Sequence, residues 1–253
     1  MISFENIKKS YGERVILKDI SAKIHKGKIT ALIGTNGAGK STLLSIISRL
    51  IQKDGGKVSI YEKELSKYKN NELAKRLSIL RQANQIDMKL TVRELVAFGR
   101  FPYSQGRLTK ADNEIIDRAI DFSELSEYEH AYIDELSGGQ RQRAFLAMVI
   151  AQDTEFILLD EPLNNLDLKH SIQMMKTLRK MVDELGKTIV IVIHEINFAS
   201  HFADYIIAMK DAKIKYHLPT HEFITKNKLK EIFGIEFDII EHNKKKICNY
   251  FNN

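Results

Sequence analysis

Cysteine is nearly missing from this chain. Its 253 residues hold one, Cys248, so no internal disulfide can form, and a reducing compartment is expected. Cys248 lies close to a polar terminus and reads as an incidental thiol. Proline occurs three times and Gly/Ser clusters are few, so no flexible linker is expected to divide the chain. Long apolar runs are missing as well. The most strongly apolar stretch, residues 189–193, falls far short of the roughly 20 residues that cross a bilayer. The start, Met1-Ile-Ser-Phe-Glu-Asn, lacks the basic-then-apolar pattern of a secretory leader. Neither low-complexity segments nor solenoid-type repeats occur. A strong charge bias is missing too: 39 basic against 33 acidic residues give +6. That mild excess suits nucleotide, an anionic membrane surface or nucleic acid, and chooses none of them.

What is present is enough apolar content, 43%, for one compact unit of two lobes. An apolar run at 29–33 reads as a buried strand. It is followed by Gly34-Thr35-Asn36-Gly37-Ala38-Gly39-Lys40-Ser41 and then Thr42, the pattern G-x-x-x-x-G-K-[ST] between strand and helix. The glycines let the backbone fold tightly, so that its N–H groups and the following helix N-terminus face phosphate oxygens. Lys40 is in reach of β- and γ-phosphates, and the Ser41 hydroxyl suits Mg²⁺. ATP and Mg²⁺ are the ligands this predicts.

The rest of the chain reads as strands and helices in alternation. Short strands are expected over 2–30, with a turn at Tyr11-Gly12. Tyr11 is either a packing tyrosine or an aromatic placed to stack on a purine. Residues 42–51 predict a helix with one broad apolar face, 58–61 a strand, 70–75 a helix, and 77–80 a strand that closes on Arg81-Gln82. Gln82 is there a candidate to present its amide to a metal or a water. Residues 91–154 are helix-rich. Thr91 with Glu94 has capping-box spacing, Thr109 heads a helix over 110–122, and Arg100-Phe-Pro-Tyr-Ser-Gln-Gly-Arg reads as a loop. Ser137 caps a helix that opens Leu136-Ser-Gly-Gly-Gln140, where Gly138 and Gly139 would let a phosphate approach the backbone.

The apolar run 156–159 ends in Asp160-Glu161, as a strand buried on both faces would. Ligands gather at the C-terminal ends of such strands. Asp160 is thus placed to hold Mg²⁺ and Glu161 to polarise a water. A helix over 169–185 stops at Gly186. A strand over 188–193 ends in His194, a candidate γ-phosphate contact at the same edge. Another core strand is expected at 205–209. The tail from 216 reads as a polar mix with a short helix and a lysine run, Lys244-Lys-Lys246, more like a solvated end than a nucleic-acid patch.

Taken together and in this order, these motifs resemble the ATP-binding subunit of an ABC transporter over essentially the whole chain. Residues 34–41 look like the Walker A loop, Gln82 like the Q-loop glutamine, and Leu136–Gln140 (LSGGQ) matches the signature motif. Asp160 and Glu161 resemble Walker B with its catalytic glutamate, Asn165-Leu-Asp167 the D-loop, and His194 the switch histidine. Tyr11 then resembles the adenine-stacking aromatic, and Thr42 and Ser137–Gln140 join the ATP-binding set. The resemblance implies an α/β P-loop NTPase (RecA-like) core with a mostly parallel sheet. It adds a small N-terminal antiparallel subdomain and a helical subdomain near 86–154, within a nucleotide-binding domain spanning 2–237 and followed by a tail at 238–253. It also implies a head-to-tail dimer with two ATP between copies, separate transmembrane permease subunits, an extracytoplasmic binding protein, no nucleic-acid partner, and a peripheral place on the cytoplasmic face of the membrane. Thr91-Val-Arg-Glu-Leu-Val-Ala-Phe-Gly-Arg-Phe-Pro-Tyr103 and Leu163–His170 are similar to ATPases of iron–siderophore, haem and vitamin B12 importers, with ferric siderophore the expected cargo. The alternatives are another importer of that group or a non-transport assembly ATPase. Glu195 departs from the aspartate more common after the switch histidine, and residues 210–219 lack the usual glycines.

Overall fold

The computed structural model describes residues 1–81, 88–243 and 245–251. The chain opens with β1 (Ile2–Tyr11) and β2 (Arg14–Ile24), an antiparallel pair, then β3 (Ile29–Gly34) and α1 (Lys40–Ile47). β4 (Gly55–Ile60) and β5 (Lys63–Glu64) precede α2 (Asn70–Ala74) and β6 (Leu77–Leu80). Helices α3 (Val92–Phe98), α4 (Phe101–Ser104), α5 (Lys110–Phe122) and α6 (Gly138–Ala151) come next. The alternating part resumes with β7 (Phe156–Asp160), α7 (Leu168–Leu185), β8 (Thr188–Val192), α8 (Ile196–Phe202), β9 (Tyr205–Lys210) and β10 (Lys213–Pro219). The chain closes with α9 (Thr220–Phe223), α10 (Lys226–Phe233) and a hairpin of β11 (Asp238–His242) and β12 (Lys245–Asn249).

Two sheets organise these elements. One is antiparallel, in the order β2-β1-β4-β5; the other runs β10-β9-β3-β8-β7-β6 and is parallel except at β10. Every residue of β3, β7 and β8 is buried, because helices or the second sheet cover both faces. That is why these segments read as unbroken apolar runs rather than alternations. The register carries the functional consequence. Leu32 and Asp160 both sit opposite Val192, so the segments that leave β3, β7 and β8 emerge at one edge of the sheet. This is the α/β arrangement the sequence leads one to expect, with its antiparallel N-terminal sheet and inserted helices.

Two helices of the helical lobe open on capping boxes. Thr91 and Glu94 cap α3, and Thr109 and Asp112 cap α5. Asp112 also anchors the lobe from inside. It pairs with Arg100 at 2.9 Å, both side chains under 10% exposed, and Arg100 Nη1 donates to the carbonyl of Ala151 at 2.9 Å. Arg93 ties α3 to α5 through Asp117 and to the segment after α5 through Glu129. The aromatic stretch 100–107 is not a plain loop but carries α4, where Phe101 is 58% exposed and Tyr103 lies under the Arg100 guanidinium.

Three further details depart from the sequence reading. The helix after the phosphate loop stops at Ile47, a turn early. Arg49 adopts φ 62° and donates to the carbonyls of Leu65 and Tyr68, which holds the chain out of the helical path. The glycine-poor segment after β9 forms a strand: β9 and β10 join through Asp211 and Ala212, both at positive φ. Lys18 N–H donates to the Ala212 carbonyl at 2.8 Å and holds this turn in place. Finally, the end of the chain is a docked hairpin rather than a solvated tail. Ile239 and Cys248 pair across it on the side facing α8, and Cys248 is fully buried. Lys246 is spent on the carbonyls of His221 and Ile224. With so few apolar residues and one charged run, alternation alone gave too weak a signal for this hairpin.

Candidate functional site

The segment from β3 to α1 wraps the start of that helix. Gly39 is the N-cap of α1 with φ 96°, and an added Cβ would meet Leu17 Cδ2 at 2.6 Å and the Ile16 carbonyl at 2.7 Å. Only glycine fits both demands. The Lys40 ammonium donates to the carbonyls of Gly34 and Thr35 at 2.9 and 3.0 Å. The side chain therefore bridges the loop it belongs to. Burial pushes its pKa down, against the pull of Glu161 and Asp160. Ala38, within the loop, is buried.

A cleft of about 560 Å³ opens over this loop, lined by Asn36, Gly37, Gly39, Lys40, Ser41, Thr42, Glu161 and His194, with Arg14 and Ile16 from β2 at its side. Three strand ends thus supply one cleft. Ser41 Oγ donates to Asp160 Oδ1 at 2.8 Å. Burial pushes the Asp160 carboxyl up, while the Ser41 hydroxyl, Arg81 and Lys40 pull it down and Glu161 adds to the rise. A buried hydroxyl–carboxylate pair of this kind, in a position where the ionised form is disfavoured, is a hard oxygen donor set that suits a divalent cation such as Mg²⁺.

Glu161 takes φ 51°, an uncommon conformation for a residue with a side chain, and turns the chain sharply out of β7. Both of its carboxylate oxygens are engaged. Oε1 lies 2.6 Å from His194 Nε2, and Oε2 accepts from the Asn164 amide. Asn164 therefore belongs to the site although sequence reasoning passed over it, as it did over Arg14. Their signals were present but faint: Arg14 is the cross-strand partner of Tyr11, and Asn164 stands three places after Glu161.

Other expected residues lie elsewhere. Tyr11 is exposed at the end of β1 and does not line the cleft; its partner Arg14 does. Gln82 lies outside the described residues. Ser137–Gln140 forms a reciprocal cap: Ser137 N–H donates to Gln140 Oε1 at 2.9 Å, and Gln140 N–H to Ser137 Oγ at 3.3 Å. None of these four residues lines the cleft. Gly139 packs against the start of α7 instead. A Cβ on Gly139 would lie 2.7 Å from the His170 ring, and His170 Nδ1 is 2.8 Å from Asp167 Oδ1. Asp167 also caps α7 by accepting from His170 N–H.

Comparisons with known proteins agree on the family. Residues 17–164 match the ABC transporter family. The chain is 54% identical over 252 residues to the petrobactin import ATP-binding protein YclP of Bacillus subtilis, covering 100% of both chains. It is 42% identical over 241 residues to the iron(3+)-hydroxamate import ATP-binding protein FhuC of the same organism, covering 94% of this chain and 90% of that one. Among solved structures, the dimeric bacterial ABC transporter cassette MJ0796 superposes with a TM-score of 0.77 at 32% identity, over 87% of this chain and 99% of the other.

Proposed function

The chain belongs to the ABC transporter family, and from that premise we infer that it is the ATP-hydrolysing subunit of an importer of ferric siderophore. What supports this most is the convergence of Lys40, Ser41, Glu161 and His194 from three neighbouring strand ends on one cleft, with Asp160 hydrogen-bonded to Ser41 beside it. The relatives at 54% and 42% identity, named for import of petrobactin and of iron(3+)-hydroxamate, support the cargo class.

In this reading the loop N–H groups and Lys40 balance phosphate charge, and Tyr11 and Arg14 flank the base and ribose end of the nucleotide. Ser41, Asp160 and Gln82 would hold Mg²⁺, which when bound offsets charge on the β- and γ-phosphate oxygens. Glu161 is the general base. Its Oε1 is occupied by His194 beforehand. A γ-phosphate over the loop competes for the imidazole, which turns from carboxylate to phosphate and leaves Oε1 to accept a proton from water. Ser137–Gln140, away from its own chain's cleft, is free to cap ATP held by a second copy in a head-to-tail dimer. ATP then favours the closed dimer because only that state offers it both surfaces.

Among the described residues, no helix is long and apolar enough to cross a membrane. Transport is therefore assigned to separate permease subunits, served by an extracytoplasmic binding protein, with this chain bound at the cytoplasmic face. The exposed Phe101, with Tyr103 beside it, is the docking point assigned to the permease. Arg93 is not, since its guanidinium is committed to Asp117 and Glu129.

The test is uptake of radiolabelled iron as ferric petrobactin and as a ferric hydroxamate in cells that carry wild type or Lys40→Ala. The reading expects ATP-dependent uptake of one of the two, abolished by the substitution. Uptake that is indifferent to Lys40 would refute it.

A further inference from the structure

Glu195, which follows His194 directly, is held at both carboxylate oxygens. Oε1 accepts from the Asn197 N–H at 3.1 Å, and Oε2 from the Tyr250 hydroxyl at 3.0 Å. Tyr250 lies just past β12, 55 positions away. A second link follows at once. The Asn197 amide donates to the Cys248 carbonyl at 3.1 Å and accepts from the Cys248 N–H at 2.8 Å. Used in this way, an asparagine side chain acts as one more strand residue beside β12, fixing direction as well as distance. A third link is Ser200 Oγ donating to the Lys246 carbonyl at 2.6 Å. Beneath these bonds Cys248 is fully buried, and the Tyr250 ring meets Phe237 edge-on at 5.5 Å between centroids.

Among the described residues, the hairpin supplies none to the nucleotide cleft. Two of its links, Tyr250 to Glu195 and Cys248 to Asn197, reach the start of α8, close in the chain to the cleft residue His194. His194 sits between the end of β8 at Val192 and the start of α8 at Ile196. β8 is locked in the sheet. The other end of this short connection is α8, seven residues long, and what fixes its start is Glu195, Asn197 and the hairpin. We propose that the C-terminal hairpin positions the switch segment, with Tyr250 and Asn197 as positioning residues that act on ATP hydrolysis through Glu195 and His194. The proposal rests on the role given to His194 above. It also accounts for the carboxylate at position 195: a side chain one methylene longer than aspartate spans to the Tyr250 hydroxyl while still capping α8.

The experiment uses the full chain and Mg-ATP, with Tyr250→Phe, Asn197→Ala and His194→Ala. A misplacement of a catalytic group by about 1 Å costs on the order of a hundredfold in rate. Loss of one of the bonds that hold it is therefore expected to lower kcat about tenfold in Tyr250→Phe, and further in Asn197→Ala. KM for ATP stays within about twofold, because the phosphate loop is untouched. In protein labelled with ¹⁵N-histidine, the His194 ring signals, identified by their loss in His194→Ala, shift in Tyr250→Phe while those of His130 in the helical lobe do not. In the His194→Ala background, Tyr250→Phe produces no further fall in kcat. An unchanged kcat in Tyr250→Phe overturns the proposal, and so does a fall that leaves the His194 signals in place or persists in full without His194. Full activity of His194→Ala alone would instead remove the role of His194, and with it the basis of the proposal.

Discussion

His194 Nε2 lies 2.6 Å from Glu161 Oε1, joining the ends of two adjacent strands across the mouth of the phosphate loop. In the function proposed above, the imidazole that holds the carboxylate is also the group that meets the γ-phosphate. Replacing His194 by Ala removes that contact and leaves Asn164 as the one side-chain hydrogen-bond partner of the Glu161 carboxylate among the described residues. We expect kcat to fall by about 10²-fold or more, with KM for ATP little changed, in steady-state ATPase assays.

Gly139 and His170 make a second tight relationship, 2.7 Å from a built Cβ to the ring. Gly139→Ala is expected to destabilise the chain by about 1–3 kcal/mol through overpacking and to displace the start of α6. Combining it with His170→Ala opens the space and recovers most of that loss. Thermal unfolding of the two variants, compared with wild type, measures both effects.

The Arg100–Asp112 pair governs the stability of the helical lobe. Cutting it by Arg100→Ala strands a buried carboxylate, at a cost of about 3–5 kcal/mol in urea unfolding at neutral pH. Thr109, through its hydroxyl and its backbone N–H, and then Arg100 hold the Asp112 carboxyl down to about 2, from an ordinary 3.8. In this range the unfolded chain binds the proton more tightly than the folded one does, so stability rises with pH. The contribution is complete above the unfolded value and fades as pH falls from about 4 towards 2. The stability difference between wild type and Asp112→Asn should narrow over that same interval.

Ala212 holds a left-handed conformation, φ 60°, in the two-residue turn between β9 and β10. That conformation costs a residue with a Cβ roughly 1–2 kcal/mol, and glycine gives back roughly 0.5–1 in unfolded-state entropy. Ala212→Gly is therefore expected to stabilise the protein by about 0.5–1 kcal/mol in urea unfolding, with no change in ATPase activity.

Much of this architecture is legible from residues alone, and the reasons are local. The strands β3, β7 and β8 announce themselves because a doubly covered strand has no polar face, and α3, α5 and α6 because their caps are written as Thr91 with Glu94, Thr109 with Asp112, and Ser137 with Gln140. Lys40, Ser41, Asp160, Glu161 and His194 could be assigned to one edge because parallel strands share a direction. What stayed hidden depends on distant partners. Asn164, Arg14 and His170 have ordinary surroundings in sequence and acquire meaning only when Glu161, the cleft and Gly139 are brought to them. The docked C-terminal hairpin was hidden for the same reason: its bonds run from Tyr250 to Glu195 and from Cys248 to Asn197, across some fifty positions. A lone cysteine in a polar tail gives no hint of such burial, which pushes its thiol up to about 11.

The most direct test of the central claim is single-turnover ATP hydrolysis by Glu161→Gln, run beside ATP binding and sedimentation of the same sample. The account predicts turnover at least 10²-fold below wild type, with ATP still bound and the protein held as a dimer. Hydrolysis at the wild-type rate in this variant would contradict it.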